Sequence, residues 1–441
     1  MARNMGRELF AMRALRLLFN KEDIPKDLLL LLIISGVYFL GIALSNTFVN
    51  IFLWKHTNSF KDIAIYNLMI VIFQPLTFLV AGRWAKKIDR VIVLRMGVVF
   101  LALFFISILL FGSQAREYLP LFGAVLGIGY GFYWLAFNVL TFEITEPDTR
   151  DFFNGFQGVL SSLAGMIGPI FAGWLIASLT SYIGYKIIFA LSLFLFALAI
   201  VISWFLERRP AEGQFTFQRI IAERQNNPNW RGVLYAHFFQ GFTEGTFAFV
   251  IPIWIFLTTK SEFALGKFGL VESGVMFISF YVVSRAIKRH FRKTSILIGG
   301  LFLYFSVFIL LFKLHFTLFI VYGIIASAAF PLLSVPYMSI TFDVIGRGWK
   351  AAEMRIEYIV VRELYYNGGR TVSILLFLLT VGLFENSEQS IRYLLVILGV
   401  GYLVIYFCLR GIHFAAKHPR KTNAAARETH GFHDEESGST V

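Results

Sequence analysis

The sequence predicts an all-α polytopic membrane protein whose twelve transmembrane helices form two pseudo-symmetric six-helix bundles. Three observations support this prediction. The chain of 441 residues is 57% hydrophobic and only 15% charged, whereas a soluble domain carries about a quarter charged residues. Apolar runs of roughly 20 residues, each long enough to cross a bilayer as a helix, recur along the whole chain. A short pattern of residues also occurs once in each half.

The repeated pattern stands at the ends of apolar runs. Residues Thr141-Phe142-Glu143-Ile144 are echoed by Thr341-Phe342-Asp343-Val344, and Phe152-Phe153-Asn154-Gly155 by Tyr365-Tyr366-Asn367-Gly368. In the first copy Arg150 follows Glu143 by seven positions, as Lys350 follows Asp343 in the second. Ordered matches on both sides of the midpoint indicate an internal duplication. Duplicated halves in an apolar chain are typical of secondary transporters.

The twelve predicted spans are defined by runs of apolar residues. In order they cover residues 28–53, 63–81, 91–111, 119–142, 152–179, 187–205, 232–257, 268–283, 295–312, 316–340, 364–384 and 393–409. None shows the alternation of polarity over about ten residues that marks a membrane β-strand. The spans therefore predict helices.

The net charge of +13 is distributed unevenly. An even number of spans places both termini and the central linker on one side, and 31 of the 40 Lys and Arg residues belong to that side. The loops of the other side hold eight. Basic loops remain cytoplasmic, so we expect both termini in the cytoplasm of a cell-membrane protein. The charge also favours contact with anionic lipids, and nucleic-acid binding is not expected.

The chain divides into five predicted segments. Residues 28–206 and 232–409 form the two bundles, and residues 207–231, with their Pro, Gly and Asn residues, form a cytoplasmic linker. Residues 1–27 alternate Arg with Leu and Phe, which predicts an amphipathic cytoplasmic helix; a disordered basic tail is the alternative. The polar residues 410–441 predict a disordered tail. The single cysteine excludes an internal disulfide, and we expect a monomer.

The loop after the second span carries a motif. It reads Gly82-Arg83-Trp84-Ala85-Lys86-Lys87-Ile88-Asp89-Arg90. It resembles the loop between helices 2 and 3 of the major facilitator superfamily, which follows Gly, three residues, Asp, Arg, any residue, Gly, Arg. Gly82, Lys87 and Arg90 fit that pattern. Lys86 stands where the family has Asp, and Asp89 stands where it has its second Gly, so the acidic partner is expected at Asp89. The resemblance covers residues 28–409 and implies two halves that alternate access.

We expect the cytoplasmic loops to form a gate. Residues 83–95 carry a net charge of +4 and residues 143–151 a net charge of −3, so the two loops should pair. Each exposed pair contributes about 0–1 kcal/mol, and several together bias an equilibrium of a few kcal/mol. The predicted gate residues are Gly82, Lys87, Asp89, Arg90, Glu143, Arg150, Asp343 and Lys350. The alternative is that these charges only mark the ends of the spans.

The fifth span contains Gly168-Pro169-Ile170-Phe171-Ala172-Gly173. It resembles the Gly-Pro-x-x-Gly-Gly element of antiporter members, with Ala172 in place of one Gly. Proline and glycine allow a bend and close helix packing. Packing alone explains the element about as well as exchange chemistry does.

Ionisable residues inside spans are the candidate coupling site, because they are costly in a bilayer. His237, Gln240 and Glu244 follow a three-then-four spacing and share one face of the seventh span. Arg370 lies one turn beyond Asn367 in the eleventh span. The resemblance implies that both spans face the central cavity. A Glu244–Arg370 pair, released by protonation, outlines a proton-coupling site; a purely structural buried pair is the alternative.

Other polar residues complete the predicted cavity. Glu272, near the outer end of the eighth span, is a further acid, and Asn46, Asn138 and Gln157 supply amides beside aromatic residues. Such a wall suits a neutral or amphipathic solute, for example a drug-like compound, a sugar or a lipid headgroup. No cofactor or metal is expected, and a proton is the expected coupling ion.

These observations favour a proton-coupled secondary transporter, with efflux by antiport ahead of uptake. No Ser/His pair, paired carboxylates or metal-ligand set stands at membrane depth, so an enzyme is not expected. The alternative is a membrane receptor or scaffold that retains the fold without transporting.

Overall fold

The structure, a computed structural model, describes residues 26–144, 147–179, 181–207, 214–384 and 387–412. Within these ranges the chain forms helices without strands, and twelve helical segments are long and apolar enough to cross a membrane. The predicted fold class is therefore confirmed. The predictions for the amphipathic N-terminal segment and for the disordered tail concern residues 1–25 and 413–441, which lie outside the described ranges.

The first bundle contains six helices and the second contains the remaining spans. The helices of the first bundle are α1 (Lys26–Thr57), α2 (Phe60–Ala85), α3 (Arg90–Phe111), α4 (Ala115–Ile144), α5 (Pro147–Ser178) and α6 (Ser181–Ser203). The linker contains α7 (Phe217–Asn226). The second bundle consists of α8 (Pro228–Thr259), α9 (Glu262–Ala286), α10 (Arg292–Val307), α11 (Phe316–Gly346), α12 (Arg355–Leu383), α13 (Ser387–Gly399) and α14 (Gly401–Leu409). The last two helices together make the twelfth span.

Capping side chains set the tight turns between helices. The Ser59 hydroxyl accepts a hydrogen bond from the backbone N–H of Asp62 at 3.2 Å and begins α2. Asn227 caps α8 through the N–H of Trp230 at 3.1 Å, with Pro228 in the first turn. These side chains satisfy backbone N–H groups that a helix start leaves without partners.

Two helices begin well before the apolar runs that predict them. The predicted starts at residues 268 and 364 are wrong, because α9 begins at Glu262 and α12 at Arg355. The added turns contain acids that are buried rather than solvated: Glu262 is 8% exposed and Glu357 is 0% exposed. Each acid has an ion-pair partner on the other bundle. As a result Glu272 lies near the middle of α9 and not near its outer end.

Glycines allow the helices of the first bundle to approach closely. Gly123, Gly127 and Gly131 of α4 face the backbone of α2, and a Cβ on Gly127 would lie 2.6 Å from the carbonyl oxygen of Ile70. A side chain at these positions would separate the helices. The three glycines therefore form a seam along which α4 packs against α2.

The helix ends define two faces of the molecule. At one end the N–H of Glu207 donates to Asp27 at 3.4 Å, and Lys293 donates to the carbonyl of Arg410 at 2.7 Å. We call this end, which includes the turn at residues 86–90 and helix α7, the basic face. The other end, which includes the turns at residues 58–59 and 260–261, is the opposite face.

Candidate functional site

Helices α8 and α12 approach each other through glycines. A Cβ on Gly241 would clash with the carbonyl oxygen of Tyr366, and one on Gly369 would clash with the carbonyl oxygen of Phe238. A Cβ on Gly245 would lie 2.8 Å from the carbonyl oxygen of Arg370. This backbone contact brings polar side chains from the middle of both helices together.

Glu244 is held by two neutral donors. The Nε2 of Gln240, one turn earlier on α8, donates to Oε1 at 3.1 Å. The hydroxyl of Tyr366 on α12 donates to Oε2 at 2.5 Å. Both oxygens of the carboxyl group therefore have a hydrogen-bond donor.

Arg370 contacts the same tyrosine. Its guanidinium carbon is 5.6 Å from the centroid of the Tyr366 ring, within the range of a cation–π contact. Its Nη1 also donates to Oδ1 of Asn367 at 3.3 Å. Among the described ion pairs there is none between Glu244 and Arg370. The direct pair that the sequence suggested is replaced by an arrangement in which Tyr366 contacts both the acid and the cation.

A second carboxylate extends this group to the other bundle. Asn367 donates to Oε1 of Glu363 at 3.1 Å, and Gln74 of α2 donates to the same oxygen at 3.0 Å. Arg362 lies 3.7 Å from the other carboxylate oxygen. Gln240, Glu244, Glu363, Tyr366, Asn367 and Arg370 form what we call the central polar cluster. Through Gln74 it contacts the first bundle.

His237 is not joined to this cluster. Its Nδ1 lies 3.0 Å from the carbonyl oxygen of Val233, and its ring packs against Tyr337 at 4.7 Å between centroids. Its Nε2 is buried without a hydrogen-bond partner in the described part of the chain. His237 therefore belongs to the core of the second bundle, although it shares a helix with Gln240 and Glu244.

The three predicted amides of the first bundle lie elsewhere. Asn46 is exposed toward a cavity and its Oδ1 is 3.4 Å from the hydroxyl of Tyr130. Gln157 lines a second, larger cavity. Asn138 is half-buried on α4. None of the three hydrogen-bonds to the central polar cluster among the described residues.

An ion pair joins the two bundles at the basic face. Lys86 at the end of α2 pairs with Glu357 on the first turn of α12, and the two side chains are 6% and 0% exposed. We call this pair the basic-face latch. Lys86 also donates to the carbonyl of Gln214 at 3.1 Å, and the N–H of Thr216 donates to Glu357 at 3.2 Å. The linker therefore contributes directly to the contact between the bundles.

The other predicted gate residues of the first bundle make local contacts. Arg90 pairs with Glu143 at 2.9 Å, which joins α3 to α4 within one bundle. Asp89 accepts from the N–H of Val91 at 2.7 Å and caps α3, so it is not the acidic partner of the loop. Lys87 is exposed. Gly82 faces the ring of Phe215, and a Cβ on Gly82 would lie 2.8 Å from that ring.

The repeated acid of the second bundle is also local. Asp343 pairs with Arg292 at 2.9 Å, and Lys350 pairs with Glu353 at 3.2 Å, so neither joins the bundles. The prediction for the Arg150 side chain lies outside what the structure describes.

At the opposite face a different ion pair joins the two bundles. Lys55 at the end of α1 pairs with Glu262 at the start of α9, and the hydroxyl of Tyr185 donates to the same carboxylate at 3.1 Å. Each face thus has one cross-bundle ion pair among the described residues.

Helices α5 and α9 pack backbone to backbone in the half near the opposite face. A Cβ on Gly173 would lie 2.5 Å from the carbonyl oxygen of Glu262, and one on Gly266 would lie 2.5 Å from that of Pro169. Toward the basic face the helices separate, and a Cβ on Gly158 would meet nothing within 4 Å. The element at residues 168–173 therefore makes the tight part of this interface.

Two cavities lie beside this interface. The larger, about 630 Å³, is in the half near the basic face between α1, α5, α9 and α11. The smaller, about 210 Å³, is nearer the opposite face and is lined by Asn46, Pro252 and Glu272, among others. Ile42, Ala43, Gly165 and Ser273 line both cavities, so the two adjoin.

Sequence reasoning missed several residues of these contacts, among them Glu357, Glu363, Lys86 and Tyr366. Glu357 and Glu363 were left outside a span because the predicted eleventh span began after them. Lys86 was noted only as a departure from the motif, although a buried lysine requires an acid nearby. Tyr366 was visible in the repeat, because it replaces Phe153 at the matching position and adds a hydroxyl.

Comparison with known sequences gives a family match and two relatives. A family model described as Major Facilitator Superfamily matches residues 31–354. The chain is 56% identical over 406 residues to the "Uncharacterized protein YqgE" of Bacillus subtilis (strain 168), which covers 92% of this chain and 94% of that protein. It is 65% identical over 172 residues to the "Uncharacterized protein in sodM 3'region" of Geobacillus stearothermophilus, with 39% and 80% covered.

Comparison with solved structures gives the same fold. The crystal structure of the human organic anion transporter MFSD10 (TETRAN) matches with a TM-score of 0.63 at 14% identity, over 88% of this chain and 100% of that one. A mutant form of the nucleoside transporter NupG matches with a TM-score of 0.64 at 14% identity, over 87% and 98%. At this identity the likeness shows the fold alone.

Proposed function

The chain belongs to the major facilitator superfamily and is a membrane transporter, and we propose that it is a proton-coupled secondary transporter that moves a small or amphipathic solute by alternating access. The observation that carries the proposal is the central polar cluster, where Tyr366 contacts both Glu244 and Arg370. An acid and a cation at the middle of spanning helices are energetically costly. Their presence there therefore indicates a functional site.

The cluster offers a way for one proton to change the contact between bundles. In the ionised form Glu244 accepts from Tyr366, whose ring also contacts Arg370. A proton on Glu244 removes the charge that holds the Tyr366 hydroxyl and thereby alters the contact between Tyr366 and Arg370. Arg370 contacts Asn367, which shares Glu363 with Gln74 of the other bundle. Proton binding thereby biases the α2–α12 contact.

The proposed orientation places the basic face in the cytoplasm of a cell membrane, because basic loops remain inside. Antiport that drives efflux is favoured by the resemblance of residues 168–173 to an antiporter element, and this element lies at the tight part of the α5–α9 interface. The names of the structural neighbours refer to organic anions and nucleosides. We do not propose an anionic substrate for this chain, because no Lys or Arg is among the described residues that line the two cavities.

The experiment measures the opening of the basic face directly and needs no substrate. Spin labels are placed at Lys87→Cys and Ala352→Cys, both exposed and on different bundles, with the native cysteine removed as Cys408→Ser. Distances are recorded by pulsed electron resonance in lipid nanodiscs at acidic and at alkaline pH. We expect two populations whose ratio changes with pH, and a Glu244→Gln variant whose ratio no longer responds, because the amide cannot ionise.

The control is Glu388→Gln, which neutralises an exposed acid far from the cluster and should keep the wild-type response. A wild-type ratio that does not depend on pH contradicts proton coupling. A Glu244→Gln variant that retains the full response removes this residue from the coupling site.

A further inference from the structure

The smaller cavity contains an acid that the central polar cluster does not use. Glu272 lies near the middle of α9 and lines this cavity with Asn46 and Phe268. Within the described ranges its carboxylate has no hydrogen-bond or ion-pair partner, unlike Glu244, Glu262, Glu357 and Glu363, which all have one. An acid at this depth that has no partner in the protein indicates that its partner is a group on a ligand.

The surroundings of Glu272 select the charge of that ligand. Glu272 is the single ionisable residue among the described residues that line either cavity. Arg370 is occupied with Tyr366 and Asn367 and lines neither cavity. A ligand in the smaller cavity therefore meets one carboxylate and no competing cation, which favours a positive group and disfavours an anion.

The larger, adjoining cavity determines the size and polarity of the rest of the ligand. Its volume of about 630 Å³ is in the range of sites for drug-sized molecules. It is lined by apolar side chains such as Phe39, Met276, Phe280 and Met338, with a few polar groups that include Gln157. Methionine adapts its shape to different ligands. The two cavities together offer a charged end and a large apolar body.

We propose that the two cavities form one binding site for an amphipathic organic cation, with its positive group at Glu272 and its apolar body between α5 and α9. This inference rests on the proposed transport function and specifies its substrate class. Glu272 is distinct from the coupling acid Glu244, so the substrate and the proton use different carboxylates. The ligand reaches the larger cavity from the half of the molecule near the basic face, where α5 and α9 are separated.

The test is a binding assay on the purified full-length chain in detergent, without any gradient. Radiolabelled tetraphenylphosphonium is the probe, and tetraphenylborate, which has the same shape and the opposite charge, is the competitor. We expect the wild type to bind the phosphonium, and the borate to compete poorly. Glu272→Gln should weaken binding at least about tenfold, because it removes one member of a desolvated charge pair, whereas Glu272→Asp should retain most of it.

Two controls separate the possible causes of a loss. Glu388→Gln removes an exposed carboxylate and should bind like the wild type, and size-exclusion profiles report whether each variant is folded. The binding assay uses no pH gradient, so a failed coupling experiment and a failed binding experiment remain distinguishable. Wild-type protein that binds no phosphonium or prefers the borate overturns the proposal. So does a Glu272→Gln variant with wild-type affinity.

Discussion

Two of the interfaces that join the bundles are built differently. Helices α2 and α12 are in contact along their length through side chains: the basic-face latch at one end, Gln74 and Glu363 in the middle, and Phe60 and Phe377 at the other end, 6.1 Å apart between ring centroids. Helices α5 and α9 pack backbone to backbone through glycines, and only in the half near the opposite face.

The difference assigns different roles to the two interfaces. Charged and amide side chains can release a partner when a proton or a ligand changes the local charge, while the helices keep their shape. Backbone contacts through glycine cannot change unless the helices themselves move apart. We therefore propose that the α2–α12 interface is the switch. In this proposal the glycine-packed half of α5 and α9 is the pivot around which the basic face opens.

The largest expected effect follows from reversing the charges of the basic-face latch. Lys86→Glu and Glu357→Lys each place two like charges in a buried contact, and loss of one partner of a buried pair costs about 3–5 kcal/mol. We expect each single variant to lower the apparent melting temperature strongly and the double variant to recover part of the loss. Recovery should be partial, because Lys86 and Glu357 also hydrogen-bond to Gln214 and Thr216 of the linker.

The matched comparison is Glu143→Gln. Its pair with Arg90 lies within the first bundle and is more exposed, at 12% and 25% for the two side chains, so its loss should cost about 0–1 kcal/mol. Equal losses in Glu143→Gln and in the latch variants would show that bundle-to-bundle contact is not what the latch provides.

A smaller effect is expected at the pivot. Gly173→Leu places a side chain where a Cβ already lies 2.5 Å from the Glu262 carbonyl, and such overpacking costs about 1–3 kcal/mol. Gly158→Leu is the control on the same helix, because nothing lies within 4 Å of its Cβ. Thermal unfolding should separate the two variants. A Gly158→Leu protein that is destabilised as much as Gly173→Leu contradicts the difference between the two halves of α5.

The sequence predicted the fold well and the site only in part, for a physical reason. Apolar run length reports where a helix meets lipid, and this identified all twelve spans. It does not report where a helix continues beneath other protein, so the first turns of α12, with Glu357, were missed. The acids and bases at membrane depth were visible one by one. Their partners depend on helix rotation, which brought Tyr366 into contact with both Glu244 and Arg370 and left Glu272 facing a cavity.

The most direct test of the switch and the pivot is to measure both interfaces in one variant. Glu357→Gln breaks the latch without adding charge. One label pair, Lys87→Cys with Ala352→Cys, spans the basic face; the other, Ala177→Cys with Lys267→Cys, spans the exposed ends of α5 and α9 near the opposite face. The account predicts a longer distance for the first pair and an unchanged distribution for the second. Lengthening of the second pair, or no change in the first, would contradict it.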